Sequence, residues 1–189
     1  MKDPLVKGHP LHAMLSDLPI GITVVGVIFD GLSVISEARR WRSAARAALG
    51  MALLSGCVAA LVGLWDYQSV PHEHPARRTG AVHGWLNASA LGLLLFSLID
   101  RWRCRSKEKE QERKYTVDTA QKLSLAALIV LGLSGWFGGE LVFRLGWRVV
   151  PAEHAEQLEE DLLKNGEGVR IKKAHRIVQE YEQTHALLP

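Results

Sequence analysis

The sequence predicts an all-α membrane protein, a four-transmembrane-helix bundle followed by a short soluble helical C-terminal tail. Three observations predict it. Four apolar runs of near-membrane length alternate with short charged stretches, and about 20 apolar residues cross a roughly 30 Å hydrocarbon core as a helix. No stretch shows the two-residue alternation of a half-buried strand. The arginines cluster beside the apolar runs, which is a membrane pattern and not a nucleic-acid face. The overall figures of 48% hydrophobic and 23% charged residues average over these blocks and hide them, and the net charge is only +3.

The first span is expected at about residues 13–36. Its threshold is Gly8-His9-Pro10-Leu11-His12, and Asp17 follows about one helical turn inside. An acid in hydrocarbon costs roughly 2.5–3.5 kcal/mol on insertion scales, so such a group implies a partner. Pro19 removes a backbone donor. Gly21, Gly26 and Gly31 permit close helix contact. Asp30, near the far end, is expected to snorkel to the interface. The arginines at 39, 40, 42 and 46 then form a basic loop.

The second span is expected at about 44–66, ending at Trp65-Asp66-Tyr67. A loop with Pro71, His72, His74 and Pro75 leads to the third span, at about 80–100. His83 and Asn87 are four apart there and share a helix face. Asp100, Arg101, Arg103 and Arg105 close that span, and a charged stretch leads to the fourth, at about 123–144. This last span carries Gly132, Gly135, Gly138 and Gly139, then Glu140 and Arg144. Glycine-rich stretches inside a membrane helix let another helix or a flat ligand lie close. Residues 1–12 are thus an N-terminal outer segment, 13–148 the membrane domain and 149–189 the tail, with helical segments expected at 153–163 and 169–184. No internal repeat is evident, and Cys57 and Cys104 suggest no disulfide framework. The start lacks the layout of a signal peptide, so the first span is expected to persist in the mature protein.

Four spans put both termini on one side. The arginine-rich loops at 39–46 and 101–109 favour those loops as cytoplasmic, with both termini on the periplasmic or outer face of a bacterial cytoplasmic membrane. Whatever the sign, His9, His12 and Asp17 open span one, Asp66 ends span two, His83 and Asn87 open span three, and Glu140 and Arg144 end span four. Alternating helix direction brings all eight to one end of the bundle. That single polar layer is the main functional signal of the sequence.

Several motifs resemble a bacterial integral-membrane family catalogued as domain of unknown function 2231. They are His9-Pro10-Leu11-His12 with Leu18-Pro19-Ile20-Gly21, Gly63-Leu64-Trp65-Asp66-Tyr67, Ala76-Arg77-Arg78-Thr79-Gly80 running into His83 and Asn87, and Gly135-Trp136-Phe137-Gly138-Gly139-Glu140-Leu141-Val142-Phe143-Arg144. Ala13 stands where members of that family often have a second proline, and Asp17 where many have another histidine. Relatives fused to redox modules imply electron transfer.

The residues themselves leave three readings open. Neutral imidazoles on facing helices hold a b-type haem, with His12 and His83 as ligands, Asn87, Gly138 and Gly139 beside it, and Trp85 and Trp136 lining it. His9, His12, Asp17, Asp66, His83 and Glu140 include enough nitrogen and oxygen donors for a divalent metal ion. The third reading is structural: each histidine bonds Asp66 or Glu140, and the layer only stabilises a non-catalytic scaffold or interaction protein. A lipid bilayer is the expected surrounding, a redox partner protein or a second copy the expected associate, and no nucleic acid. No arrangement of nucleophile and base suggests a stand-alone enzyme.

Overall fold

The computed structural model describes residues 5–6, 9–107, 118–148 and 160–166. Its framework is four long helices: α1 (Leu11–Ile35), α2 (Arg39–Gln68), α3 (Ala76–Lys107) and α4 (Thr119–Gly139). All four are long and apolar enough to cross a membrane. The protein is therefore an all-α membrane bundle. A π-helical turn, Glu140–Arg144, extends α4. Before α1, the two-residue strands β1 (Leu5–Val6) and β2 (His9–Pro10) pair antiparallel.

Each helix boundary has a local cause. α1 passes through Pro19 without a break, and the Thr23 hydroxyl donates to the Pro19 carbonyl at 2.7 Å. Proline has no N–H, so the carbonyl one turn back loses its helical partner and α1 is easier to bend there. The α1–α2 turn needs only a few residues because Glu37 takes a left-handed conformation, φ 51°. α4 opens with a capping box. Asp118 accepts from the Gln121 N–H at 2.9 Å while Gln121 Oε1 accepts from the Asp118 N–H at 3.0 Å. Each donor so satisfied would otherwise be an orphan of the first turn.

The helices pair as two hairpins, α1 with α2 and α3 with α4. Their buried positions recur. One constant shift carries Pro19, Thr23, Gly26 and Asp30 of α1 onto Ala90, Leu94, Ser97 and Arg101 of α3. Another carries Ala45, Leu49, Ala52, Gly56 and Ala59 of α2 onto Ala120, Ser124, Ala127, Leu131 and Ser134 of α4. The expectation that the chain holds no repeat is thereby corrected. The hairpins are equivalent in register, and the repeat escapes the eye because unlike residues fill equivalent places. Leu49, Ala52, Leu94 and Ala127 form the central core, so both hairpins contribute to it. Gly26 lets α1 approach α2: a Cβ there would stand 2.6 Å from Leu49 Cδ2.

Beyond Leu145 a second unit follows. Its described residues are 146–148 and 160–166, the latter with a short helix at 160–164 ended by Gly166 at φ +81°. Lys164 pairs with Glu160 at 3.4 Å on its surface. The rest of the expected tail, including the segment at 169–184, lies outside the described residues.

Candidate functional site

At one end of the bundle, His12 of α1 and His83 of α3 meet. Their ring centroids are 5.9 Å apart and the ring planes are near perpendicular, at 80°. These two residues occupy equivalent positions in the repeat. So do their supports. His12 Nδ1 donates to the Ala59 carbonyl of α2 at 2.9 Å, and His83 Nδ1 donates to the Ser134 carbonyl of α4 at 2.8 Å. One turn further along each supporting helix is a glycine that makes room for the ring. A Cβ at Gly63 would lie 2.7 Å from His12 Cε1 and Nδ1, and one at Gly138 would lie 3.1 Å from His83 Cε1. Any side chain at Gly63 would push the imidazole off its carbonyl.

A carbonyl accepts only, so each Nδ1 carries a proton, and in the neutral ring Nε2 is left with the lone pair. The two lone pairs are treated differently. His83 Nε2 accepts from Asn87 Nδ2 at 3.0 Å. The residue of α1 equivalent to Asn87 is Ser16, whose hydroxyl turns back to the Ala13 carbonyl at 2.9 Å. Among the described residues His12 Nε2 thus has no capping amide. Ser134 adds a second tie to α3: its hydroxyl lies 3.0 Å from His83 Nδ1 and donates to the His83 carbonyl at 3.2 Å. Neither histidine bonds Asp66 or Glu140, as the purely structural reading had expected.

The other expected site residues do not join them. Asp17 is exposed on α1. Asp66 is buried at the end of α2. Glu140 pairs with Arg144 at 3.0 Å, and the Arg144 side chain is 75% exposed, so this ion pair adds little. The His9 side chain lies outside the described residues. Among the described residues no group of three or more His, Cys, Asp or Glu side chains is placed to hold a metal ion. The described members of the six-residue metal set are therefore not assembled into one group. Gly138 is filled by the His83 ring, whereas a Cβ at Gly139 would meet only Phe143 Cδ2, at 3.8 Å. Gly132 and Gly135 face outward with open space beside them. Trp85 and Trp136 also point away from the histidines' shared space, being 76% and 73% exposed. The glycine face of α4 thus seats an imidazole and offers no wide flat cradle.

At the opposite end lies a cluster that sequence reasoning missed. Asp30 is buried and does not snorkel. Arg101 grips it in bidentate fashion, Nη1 to Oδ1 at 2.8 Å and Nη2 to Oδ2 at 2.6 Å. The Ser124 hydroxyl donates to Asp30 Oδ2 at 2.7 Å. Gln121 Nε2 donates to Ser33 Oγ at 3.0 Å and reaches the Asp30 carbonyl at 3.3 Å. Ser97 donates to the Ala120 carbonyl at 2.7 Å and accepts from Arg101 Nε at 3.3 Å. The bundle therefore has two polar layers, not one. A signal was present in the sequence: Asp30 with Ser33, Ser97 with Arg101, and Gln121 with Ser124 stand three or four apart, at the same end of three spans.

A membrane bundle with two supported imidazoles at one end and a satisfied charge pair at the other is now defined. No curated protein and no solved structure matches the chain. A family model described as "Predicted membrane protein (DUF2231)" matches residues 8–151, which span all four helices. The chain belongs to that family of predicted membrane proteins.

Proposed function

We propose that this membrane protein is a small electron-transfer unit in which His12 and His83 would hold a b-type haem between the two hairpins. One observation carries the reading. Two imidazoles from equivalent helix positions meet, each with Nδ1–H committed to a carbonyl, which leaves Nε2 as the nitrogen available to a ligand. The donor set favours a porphyrin over a bare ion. Porphyrin iron needs only two protein ligands, whereas a zinc-type site needs three or four, and no third donor joins the pair among the described residues.

A bound haem would supply one-electron chemistry. The residues of the chain do the rest. The Ala59 and Ser134 carbonyls orient the rings through Nδ1, Gly63 and Gly138 give the rings room, and Asn87 would have to give up His83 Nε2 for that atom to serve as a ligand. An electron-transfer unit also needs a redox partner protein, which would dock at the end bearing the histidines. The arginines at the start of α2 and at the end of α3 support an orientation with both termini outside a cytoplasmic membrane.

The test is spectroscopic. Protein purified in detergent from haem-supplied cells should show a Soret band. His12→Ala and His83→Ala should each abolish it without loss of membrane insertion, because insertion follows apolar length. Colourless wild-type protein after haem supply would refute the proposal.

A second reading has its own support. Asn87 already satisfies His83 Nε2, and glycines seat both rings, as in a purely structural fastening. On that reading the protein is a non-catalytic scaffold, and His83→Ala lowers stability while absorbance and metal content stay unchanged. A metal-binding accessory role would instead appear as stoichiometric metal in elemental analysis of the wild type.

A further inference from the structure

The two ends of the bundle are fastened unequally. At the Asp30 end, side-chain hydrogen bonds cross from one hairpin to the other: Arg101 and Ser124 to the Asp30 carboxylate, Gln121 to Ser33 and to the Asp30 carbonyl. The two partners of the ion pair have side chains only 5% and 9% exposed, so water competes little for them. At the other end the two histidines bond within their own hairpins, while Arg77 of α3 crosses to α2, its guanidinium 5.0 Å from the Tyr67 ring centroid, and donates to the Val70 carbonyl at 2.7 Å. His12 bonds α2, His83 bonds α4 and its own-helix neighbour Asn87. The hairpins meet there through ring contacts, between the two imidazoles and between Arg77 and Tyr67. Pro19 lies between the two ends of α1 and removes one helical hydrogen bond from that helix.

We infer that the bundle opens at the histidine end, the two hairpins separating about a fixed pivot made by Asp30, Arg101, Ser124 and Gln121, and that this opening admits a planar ligand between His12 and His83. The choice of ligand rests on the haem reading above; the motion does not. Its energetic logic is direct. Separating the hairpins at the histidine end breaks apolar and ring contacts but none of the histidine or Asn87 hydrogen bonds. Separating them at the other end exposes a buried carboxylate and guanidinium, which is far more costly in hydrocarbon.

Distances between spin labels in full-length protein in nanodiscs test the inference, with Cys57→Ser and Cys104→Ser as background. One pair, Ala13→Cys with Gly84→Cys, reports the histidine end. The other, Gly31→Cys with Arg103→Cys, reports the pivot. The labelled side chains have room, since both glycines face open space and Ala13 and Arg103 are exposed. The histidine-end pair should show a second, longer population, and added haemin should shift it wholly to that distance. The pivot pair should give one population, which Ser124→Ala broadens. One narrow population at the histidine end, or equal spread at both ends, would overturn the inference. If the histidine end opens but haemin yields no Soret band, the motion stands and the haem reading fails. If haemin binds with no change in the histidine-end distance, the haem reading stands and the inference fails.

Discussion

Replacing Arg101 by methionine should be among the most damaging single changes in the bundle. The substitution keeps most of the side-chain length and deletes the charge. It leaves the Asp30 carboxylate buried with Ser124 as its one remaining side-chain donor, and it frees Ser97 of a neighbour. Removing one partner of a buried ion pair typically costs 3–5 kcal/mol. An unpaired acid at membrane depth can limit its loss by taking up a proton, and insertion scales put an acid there at roughly 2.5–3.5 kcal/mol. About 3 kcal/mol is therefore expected. Reversible unfolding of detergent-solubilised protein in increasing dodecyl sulfate, followed by circular dichroism, measures it. The paired change Asp30→Leu with Arg101→Met should recover most of the loss, because both charges leave together. An Arg101→Met protein within about 0.5 kcal/mol of wild type would refute the buried pair, since changes away from such features stay in that range. A paired variant as damaged as the single one would mean that packing, not charge, was lost.

Three further outcomes are expected. Gly63→Ala should destabilise by about 1–3 kcal/mol, the usual range for overpacking, because its new Cβ would displace the His12 ring from the Ala59 carbonyl; Gly138→Ala should cost less and Gly139→Ala close to nothing, all three read in the same unfolding assay. Glu37→Gly should leave stability unchanged or raise it by up to about 1 kcal/mol, since a left-handed conformation costs a side-chain-bearing residue roughly 1–2 kcal/mol and glycine gives part of that back in entropy. An impermeant thiol reagent applied to intact cells should label an engineered Gly166→Cys and spare Cys104, and the reverse pattern would invert the orientation.

The fold was legible because apolar length is a strong signal: a run of about 20 such residues has few alternatives to a membrane helix. The meeting of His12 and His83 was legible for a related reason, since alternating helix direction alone brings the starts of spans one and three to one end. Asp30 and Arg101 were not. Each was read by its position near a basic loop, where exposure is cheap, and only the packing of α1 against α3 and α4 shows that both turn inward. The repeat was hidden by chemistry. Thr23 corresponds to Leu94 and Gly56 to Leu131, and residues so unlike share a burial pattern without sharing a letter. Among the described residues the expected metal donors are not brought together, because common depth is not common direction: Asp17 is exposed on α1 and Glu140 pairs with Arg144.

The correspondence of α1 with α3 has a consequence for covalent connectivity. Two separate identical hairpins related by a two-fold axis would place the same residue on both sides of that axis. Histidine opposite histidine is acceptable under such symmetry, since each imidazole can stay neutral. Asp30, however, would face a second aspartate in the hydrocarbon, with no cation to answer it. Tying both hairpins into one polypeptide removes the need for identity, at that level as at others. Aspartate can then oppose arginine at one end while like still faces like at the other.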